Sequence, residues 1–259
     1  MKSCAKIHKG GVAMERDEHI EYINSELKLI VSTAHTFGTD ALLLAHFARP
    51  DKNAKICDLG TGCGIIPFRF LSEGLGSVIF AVDIMPAATD LLKKSVELNG
   101  IEEKIVPICA DLRELNGRIP MGLDMVTMNP PYTESGGGIP PRDSSARTAR
   151  HEEECSLDEI CRSAARLLRF GGSLCMCNRP SRLFGMMMAM RENGIEPKRL
   201  RLVSKKDGSA PWLVLLEGKK GRKPGMVIEP ELHIYVNGEY SDEMKEITAQ
   251  YKKAQEERL

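Results

Sequence analysis

Asn129-Pro130-Pro131-Tyr132 is the stretch of this 259-residue chain whose residue types best fit a defined chemistry. Asn129 carries a side-chain carbonyl that can accept one N–H of a planar exocyclic amine. Pro130 has no N–H to donate, its carbonyl can accept the second N–H, and its ring fixes φ. Pro131 stiffens the turn, and Tyr132 offers a flat face on which a base can stack. Two acceptors held in the plane of an NH₂ group turn its lone pair out of conjugation and towards an electrophile. The same four residues would also suit a proline-rich turn that merely ends a strand, so the segments upstream decide between the two.

Upstream, successive apolar runs end in acids. Residues 55–58 run into a glycine-rich turn, Gly60-Thr61-Gly62-Cys63-Gly64, and residues 65–72 then read as a helix. Glycines allow both a tight turn and close approach of the backbone to a ligand. The spacing is G-x-G-x-G, not the G-x-G-x-x-G of dinucleotide binding. Asp58 would repel a phosphate there and would favour a ligand carrying an ammonium and a sulfonium. Asp83 ends the run 78–83, about twenty residues past the glycines, the interval at which a carboxylate binds ribose hydroxyls. Ile84 beside it can cover an adenine face. Asp111-Leu112 follows the run 105–109, and Asp111 reads equally as an acceptor for an adenine amino group or as a cap. Asp40 suits a helix cap, with Thr39 as the other choice, and also lies where it could approach a cofactor.

This constellation resembles the class I S-adenosylmethionine (SAM)-dependent methyltransferases, and Asn-Pro-Pro-Tyr is similar to the motif of those that act on amino or amide nitrogen. The flanking Phe37-Gly38-Thr39-Asp40-Ala41, Ala149-Arg150-His151-Glu152, Asn178-Arg179-Pro180 and Lys223-Pro224 narrow the resemblance to the bacterial tRNA1(Val) adenine-N6 methyltransferase family, over residues 15–240. One departure is Thr133, where relatives often carry a second aromatic. The resemblance implies an α/β fold, a Rossmann-like, seven-stranded, mostly parallel sheet flanked by helices. It also implies SAM as cofactor, tRNA as partner and a cytoplasmic enzyme methylating the adenine beside the anticodon of a valine tRNA. Glutamine N5-methylation of a protein presents the same planar pair of N–H groups. A DNA or rRNA amino-methyltransferase and a non-catalytic SAM-binding RNA module are the more distant readings.

The elements that must position these residues follow from pattern. Strands are expected at 27–31, 55–58, 78–83, 105–109, 123–127, 173–177, 197–203 and 212–217, alternating in the middle of the chain with helices at 41–48, 86–99, 157–168 and 181–193. Pro107 marks 105–109 as an edge strand. Alternation of this kind implies a parallel sheet whose strand ends open onto one crevice. Residues 15–25 read as helical or irregular, 1–13 as a polar leader ahead of a start at Met14, and 241–259 as a charged helix or tail without chemistry. His46 reads as a packed helical histidine.

Global charge is balanced, 36 basic against 36 acidic residues, so any nucleic-acid surface has to come from local distribution. Arg142, Arg147 and Arg150 lie in the glycine-rich loop 133–154, Arg179 follows a strand, and the span 195–225 is basic through Lys198, Arg199, Lys205, Lys206, Lys219 and Lys220 among others. Each group suits either phosphate contact or a solvated face. The eight cysteines show no paired metal spacing, and reduced thiols in a cytosolic monomer without metal are expected. No apolar run reaches the roughly 20 residues of a membrane span.

Overall fold

The computed structural model describes residues 6–7, 12–130 and 155–256. Its first strands are two-residue β1 (Lys6–Ile7) and β2 (Ala13–Met14), paired with each other, then β3 (Glu18–Tyr22) and β4 (Lys28–Ser32), an antiparallel hairpin. Within 15–25, read as helical or irregular, residues 18–22 are strand and the rest is irregular, with no helix. The strand escapes the pattern because it has only two apolar positions, Ile20 and Tyr22, too short an alternation to register, and both are only partly covered. Val12 and Met14 are buried with Ile30 and Leu91, so the span read as a leader contributes to a packed cluster.

After α1 (Thr39–Ala48) the chain alternates: β5 (Lys55–Leu59), α2 (Ile65–Ser72), β6 (Val78–Asp83), α3 (Pro86–Asn99), β7 (Ile105–Cys109), β8 (Leu123–Met128). Pro86 opens α3 at a position where the missing N–H costs nothing, and Gly100 closes it in the left-handed region. Beyond the undescribed segment come α4 (Leu157–Leu167), β9 (Leu168–Asn178), α5 (Leu183–Glu192), β10 (Ile195–Ser204) and β11 (Leu213–Lys220). A capping box between Ser156 and Glu159 starts α4. Phe170-Gly171-Gly172, between the expected helix 157–168 and the expected strand 173–177, lies inside β9, beside a register irregularity against β8.

The main sheet runs β7-β6-β5-β8-β9-β11-β10, with β7 at the edge as Pro107 requires. β5 to β9 are parallel neighbours, and β11 is antiparallel to both β9 and β10. Two further two-residue strands, β12 (Val227–Ile228) and β13 (Leu232–His233), extend β10 on its outer side, making nine where seven are expected. Apolar clusters form on either face. One joins α1 and α2 to β5, β6 and β11, and the other joins α4 and α5 to β8, β9 and β10.

The last element, α6 (Asp242–Glu256), is the helix expected of the charged tail, but it docks on the body. Met244 and Ile247 are fully buried in the first cluster. Glu243 forms a two-pronged pair with Arg201 and also meets His46 at 3.2 Å. The pairing with Arg201 holds the Glu243 carboxyl below its usual range. Ile247→Ala and Met244→Ala are each expected to cost about 2–4 kcal/mol in urea unfolding. Loss of less than about 0.5 kcal/mol, the size of a surface change, would show that α6 does not pack in solution.

Candidate active site at the ends of the parallel strands

Because β5 to β9 are parallel, their C-terminal ends share one edge, and the residues picked out by chemistry gather there. Asp58 sits in β5 with Ala81 of β6 on one side and Thr127 of β8 on the other. It is 1% exposed. The Thr127 hydroxyl donates to its Oδ1 at 2.6 Å, while the Thr61 hydroxyl lies near the carboxyl without closing a hydrogen bond, which leaves Oδ2 buried and without a hydrogen-bond partner among the described groups. Burial pushes the Asp58 carboxyl up to about 7; the hydroxyls of Thr127 and Thr61 oppose this and the nearby Asp83 charge adds to it.

The glycine turn follows directly. Gly60, Gly62 and Gly64 have φ of 63°, 55° and 94°, values that favour glycine. A side chain on Gly64 would also start 2.4 Å from Leu92 of α3, whereas over Gly62 the space is open. Asp83 braces this turn from the next strand. Its Oδ2 accepts the Gly62 N–H at 2.8 Å and its Oδ1 accepts the Met85 N–H at 2.9 Å. Ile84 and Met85, 47% and 51% exposed, form an apolar lip beside it.

Asp111 caps the short turn Leu112–Glu114, accepting the Arg113 N–H at 2.8 Å, and pairs with the Arg113 guanidinium. Hydrogen bonding to Arg113 holds its carboxyl below the usual range. Leu112 packs into the second cluster. Asp40 does not cap α1, and neither does Thr39. Gly38 is the N-cap, without a side-chain bond, and Asp40 Oδ1 accepts the N–H of Ala41 at 3.0 Å within the first turn.

Asn129 is the first residue after β8, half-buried, and Pro130 behind it is buried. The Cys177 thiol of β9 donates to Asn129 Oδ1 at 3.0 Å. Pro131, Tyr132, Arg142, Arg147 and Arg150 lie outside the described residues.

The basic residues divide between the two sheet edges. Arg179 follows β9, exposed, with its guanidinium 5.6 Å from the Trp212 ring and donating to the Trp212 carbonyl. Lys205 and Lys206 follow β10 on the same edge, exposed. Lys219 and Lys220 end the antiparallel β11, opposite Glu196 and Ile195, and so belong to the far edge with Lys198. Lys220 donates to the Leu168 carbonyl and Lys198 to those of Lys223 and Gly225. Arg199 is used inside the fold: it pairs with Glu217 and Glu229, donates to the Phe47 carbonyl and lies 3.9 Å over the Phe47 ring. Thr127 and Cys177 escape a sequence reading, although Thr127, a polar residue two before Asn129 in an apolar strand, shares its face by simple alternation.

Among the described residues, no cluster of His, Cys, Asp and Glu could hold a metal ion, and no helix is long and apolar enough to cross a membrane. Residues 31–192 match the family model of the methyltransferase small domain. A tRNA1(Val) (adenine(37)-N6)-methyltransferase of Tolumonas auensis is 30% identical over 197 residues, 75% of this chain and 80% of that protein. One of the same name from Bacteroides fragilis is 26% identical over 219 residues, 83% of this chain and 89% of the relative. Among solved structures, a predicted O-methyltransferase from Agrobacterium tumefaciens superposes with a TM-score of 0.61 at 17% identity, covering 82% of this chain and 96% of that one. M. jannaschii TYW2 in complex with AdoMet gives a TM-score of 0.55 at 14% identity, covering 80% and 87%. The strand order, the braced glycine turn and the unpartnered Asp58 oxygen fit the donor of this fold. The chain therefore belongs to the methyltransferase small domain family and is a SAM-dependent methyltransferase.

Proposed function

We propose that this enzyme methylates the exocyclic N6 of an adenine in tRNA, the adenine beside the anticodon of a valine tRNA. The observation that carries the proposal is the placement of Asn129-Pro130 at the end of β8, one strand from the Asp58 glycine turn of β5. The names of the relatives supply the substrate. In this reading Asp58 holds the donor's ammonium, and the N–H groups of the Gly60–Gly64 turn lie along its amino-acid end. Asp83 takes the ribose hydroxyls with its remaining lone pairs, while Ile84 covers the adenine ring. Asp111, Leu112 and Asp40 border the same pocket. The donor supplies a methyl group on a positively charged sulfur.

Asn129 Oδ1 and the Pro130 carbonyl accept the two N6 hydrogens, so the nitrogen lone pair faces that methyl. No general base is needed before transfer, because the amine becomes acidic once alkylated and loses its proton afterwards. The target base has to leave its stack, at a cost of a few kcal/mol that is least in a loop. Stacking on Tyr132 returns about 1–3 kcal/mol. Catalysis is then positioning, where a displacement of ~1 Å costs about 10²-fold. Arg179, Lys205 and Lys206 lie on the substrate side and serve as phosphate contacts, and the enzyme works where tRNA is, in the cytoplasm.

Asn129→Ala is expected to lower methyl transfer to a valine tRNA transcript by at least about 10²-fold with SAM affinity unchanged. Wild-type turnover in that variant removes the assigned role. Mass spectrometry of tRNA from cells lacking the protein should show an unmodified adenine; methylation of a glutamine peptide instead would favour the protein-directed reading. Lys205→Glu with Lys206→Glu should reduce the slope of log affinity for tRNA against log salt by about 2. An unchanged slope places RNA elsewhere.

Asp58 gives a pH signature. Donor binding needs its carboxylate, so SAM affinity measured by calorimetry should fall roughly tenfold between pH 7 and 5.5, and Asp58→Asn should be weak and flat over that window. Stability runs the other way. A folded pKa raised to about 7 means that protonated Asp58 favours the fold, a contribution complete below the unfolded value near 3.8 and lost as pH rises through 7. Asp58→Asn should therefore resist denaturant better than wild type at pH 8.

A further inference from the structure

The two ends of an asparagine amide have nearly the same shape and opposite hydrogen-bonding character. Its oxygen accepts from an amine; turned by half a rotation, it presents two N–H donors to an amine that has two of its own. A site that uses Asn129 to hold N6 therefore needs something to settle which end faces the substrate.

Cys177 is placed to do this. The register pairs Met128 with Met176, which sets Asn129 beside Cys177 one step further along the two parallel strands. The thiol is fully buried and donates to Asn129 Oδ1 at 3.0 Å. A donor at that point is satisfied by the oxygen, whereas the half-rotated amide would leave the buried S–H without an acceptor and give its own N–H only the weakly accepting sulfur. A carbonyl oxygen accepts two hydrogen bonds, so a thiol on one lone pair is compatible with an amine on the other, and a thiol is a weak donor that leaves the oxygen most of its accepting strength.

We propose that Cys177 is a positioning residue that sets the orientation of the Asn129 amide, so that its oxygen and not its nitrogen meets the amine accepting the methyl group. The inference rests on the reading of Asn129 given above. The alternative role for a buried sulfur is to fill space, and the two roles separate by substitution. Cys177→Ser keeps a donor in a smaller side chain. Cys177→Val fills the volume and has no donor, and Cys177→Ala has neither.

The experiment is steady-state methylation of a valine tRNA transcript by the full chain and the three variants. SAM affinity and unfolding midpoints, measured alongside, establish that each variant is folded. If Cys177 orients Asn129, the Ser variant stays within about threefold of wild-type kcat. The Val and Ala variants then each lose about five- to tenfold in kcat, the worth of one hydrogen bond, with SAM affinity and the KM for tRNA unchanged. If activity follows volume instead, with Val at wild-type level or Ser no better than Ala, Cys177 only packs and the inference is overturned while the reading of Asn129 stands. If wild type binds SAM but transfers no methyl group to adenine N6, that reading falls, and this inference with it.

Discussion

The carboxylate of Asp83 joins the end of β6 to the turn that follows β5, and the shape of that glycine turn depends on the contact. Its two oxygens take the N–H groups of Gly62 and Met85. Bonds of this kind to a charged acceptor contribute about 1.5–3 kcal/mol each. They hold the glycine turn over Asp58 and aim the following chain, with exposed Ile84 and Met85, along the rim of the sheet. Asp58 is buried, with one oxygen accepting from Thr127 and the other without a hydrogen-bond partner among the described residues. An unsatisfied buried carboxylate oxygen is costly to stability, and costs of this kind concentrate where a ligand is bound. The fold thus contains one acid that builds the turn and another that is buried in the strand leading into it.

Strand direction explains the distribution of charge. β5 to β9 and β10 all finish on the same edge, so Asp58, Asp83, Asn129, Arg179, Lys205 and Lys206 come together from a span of about 150 residues. β11 runs the other way, so the lysines at its end leave this edge although they are close in sequence to Lys205 and Lys206. The basic span 195–225 is consequently not one surface. Part of it faces the crevice, part lies on the opposite edge, and Arg199 and Arg201 tie the outer strands to Glu217, Glu229 and Glu243. Those pairs fasten α1, β10 and α6 to one another, so their loss would be felt in the fold before it was felt by an RNA.

Much of the central fold was legible because its signals are local. The boundaries of α2, β6, α3 and β7 follow from apolar run length, from Pro86 as a helix start and from Gly100 as a stop, each of which acts within a few residues. The glycine turn was legible for the same reason, since positive φ is a property of single residues. The hairpin strand Glu18–Tyr22 was not, because two half-buried apolar residues are too few to make a periodic signal. Gly38 replaces Thr39 and Asp40 as the cap of α1 because that choice depends on the backbone path entering the helix.

The sequence by itself determined the kinds of chemistry available: an amide and a carbonyl in tandem at Asn129 and Pro130, acids at successive strand ends, and glycines where the backbone turns at positive φ. Residue type and short spacing are enough for that, because they set hydrogen-bonding capacity and allowed φ directly. Tertiary structure alone decided which acid is buried, which lysines share an edge with the site, and that a thiol 48 residues from Asn129 meets its oxygen. Those outcomes depend on strand order and register, which come from the packing of the whole sheet and leave no mark in any single stretch of chain.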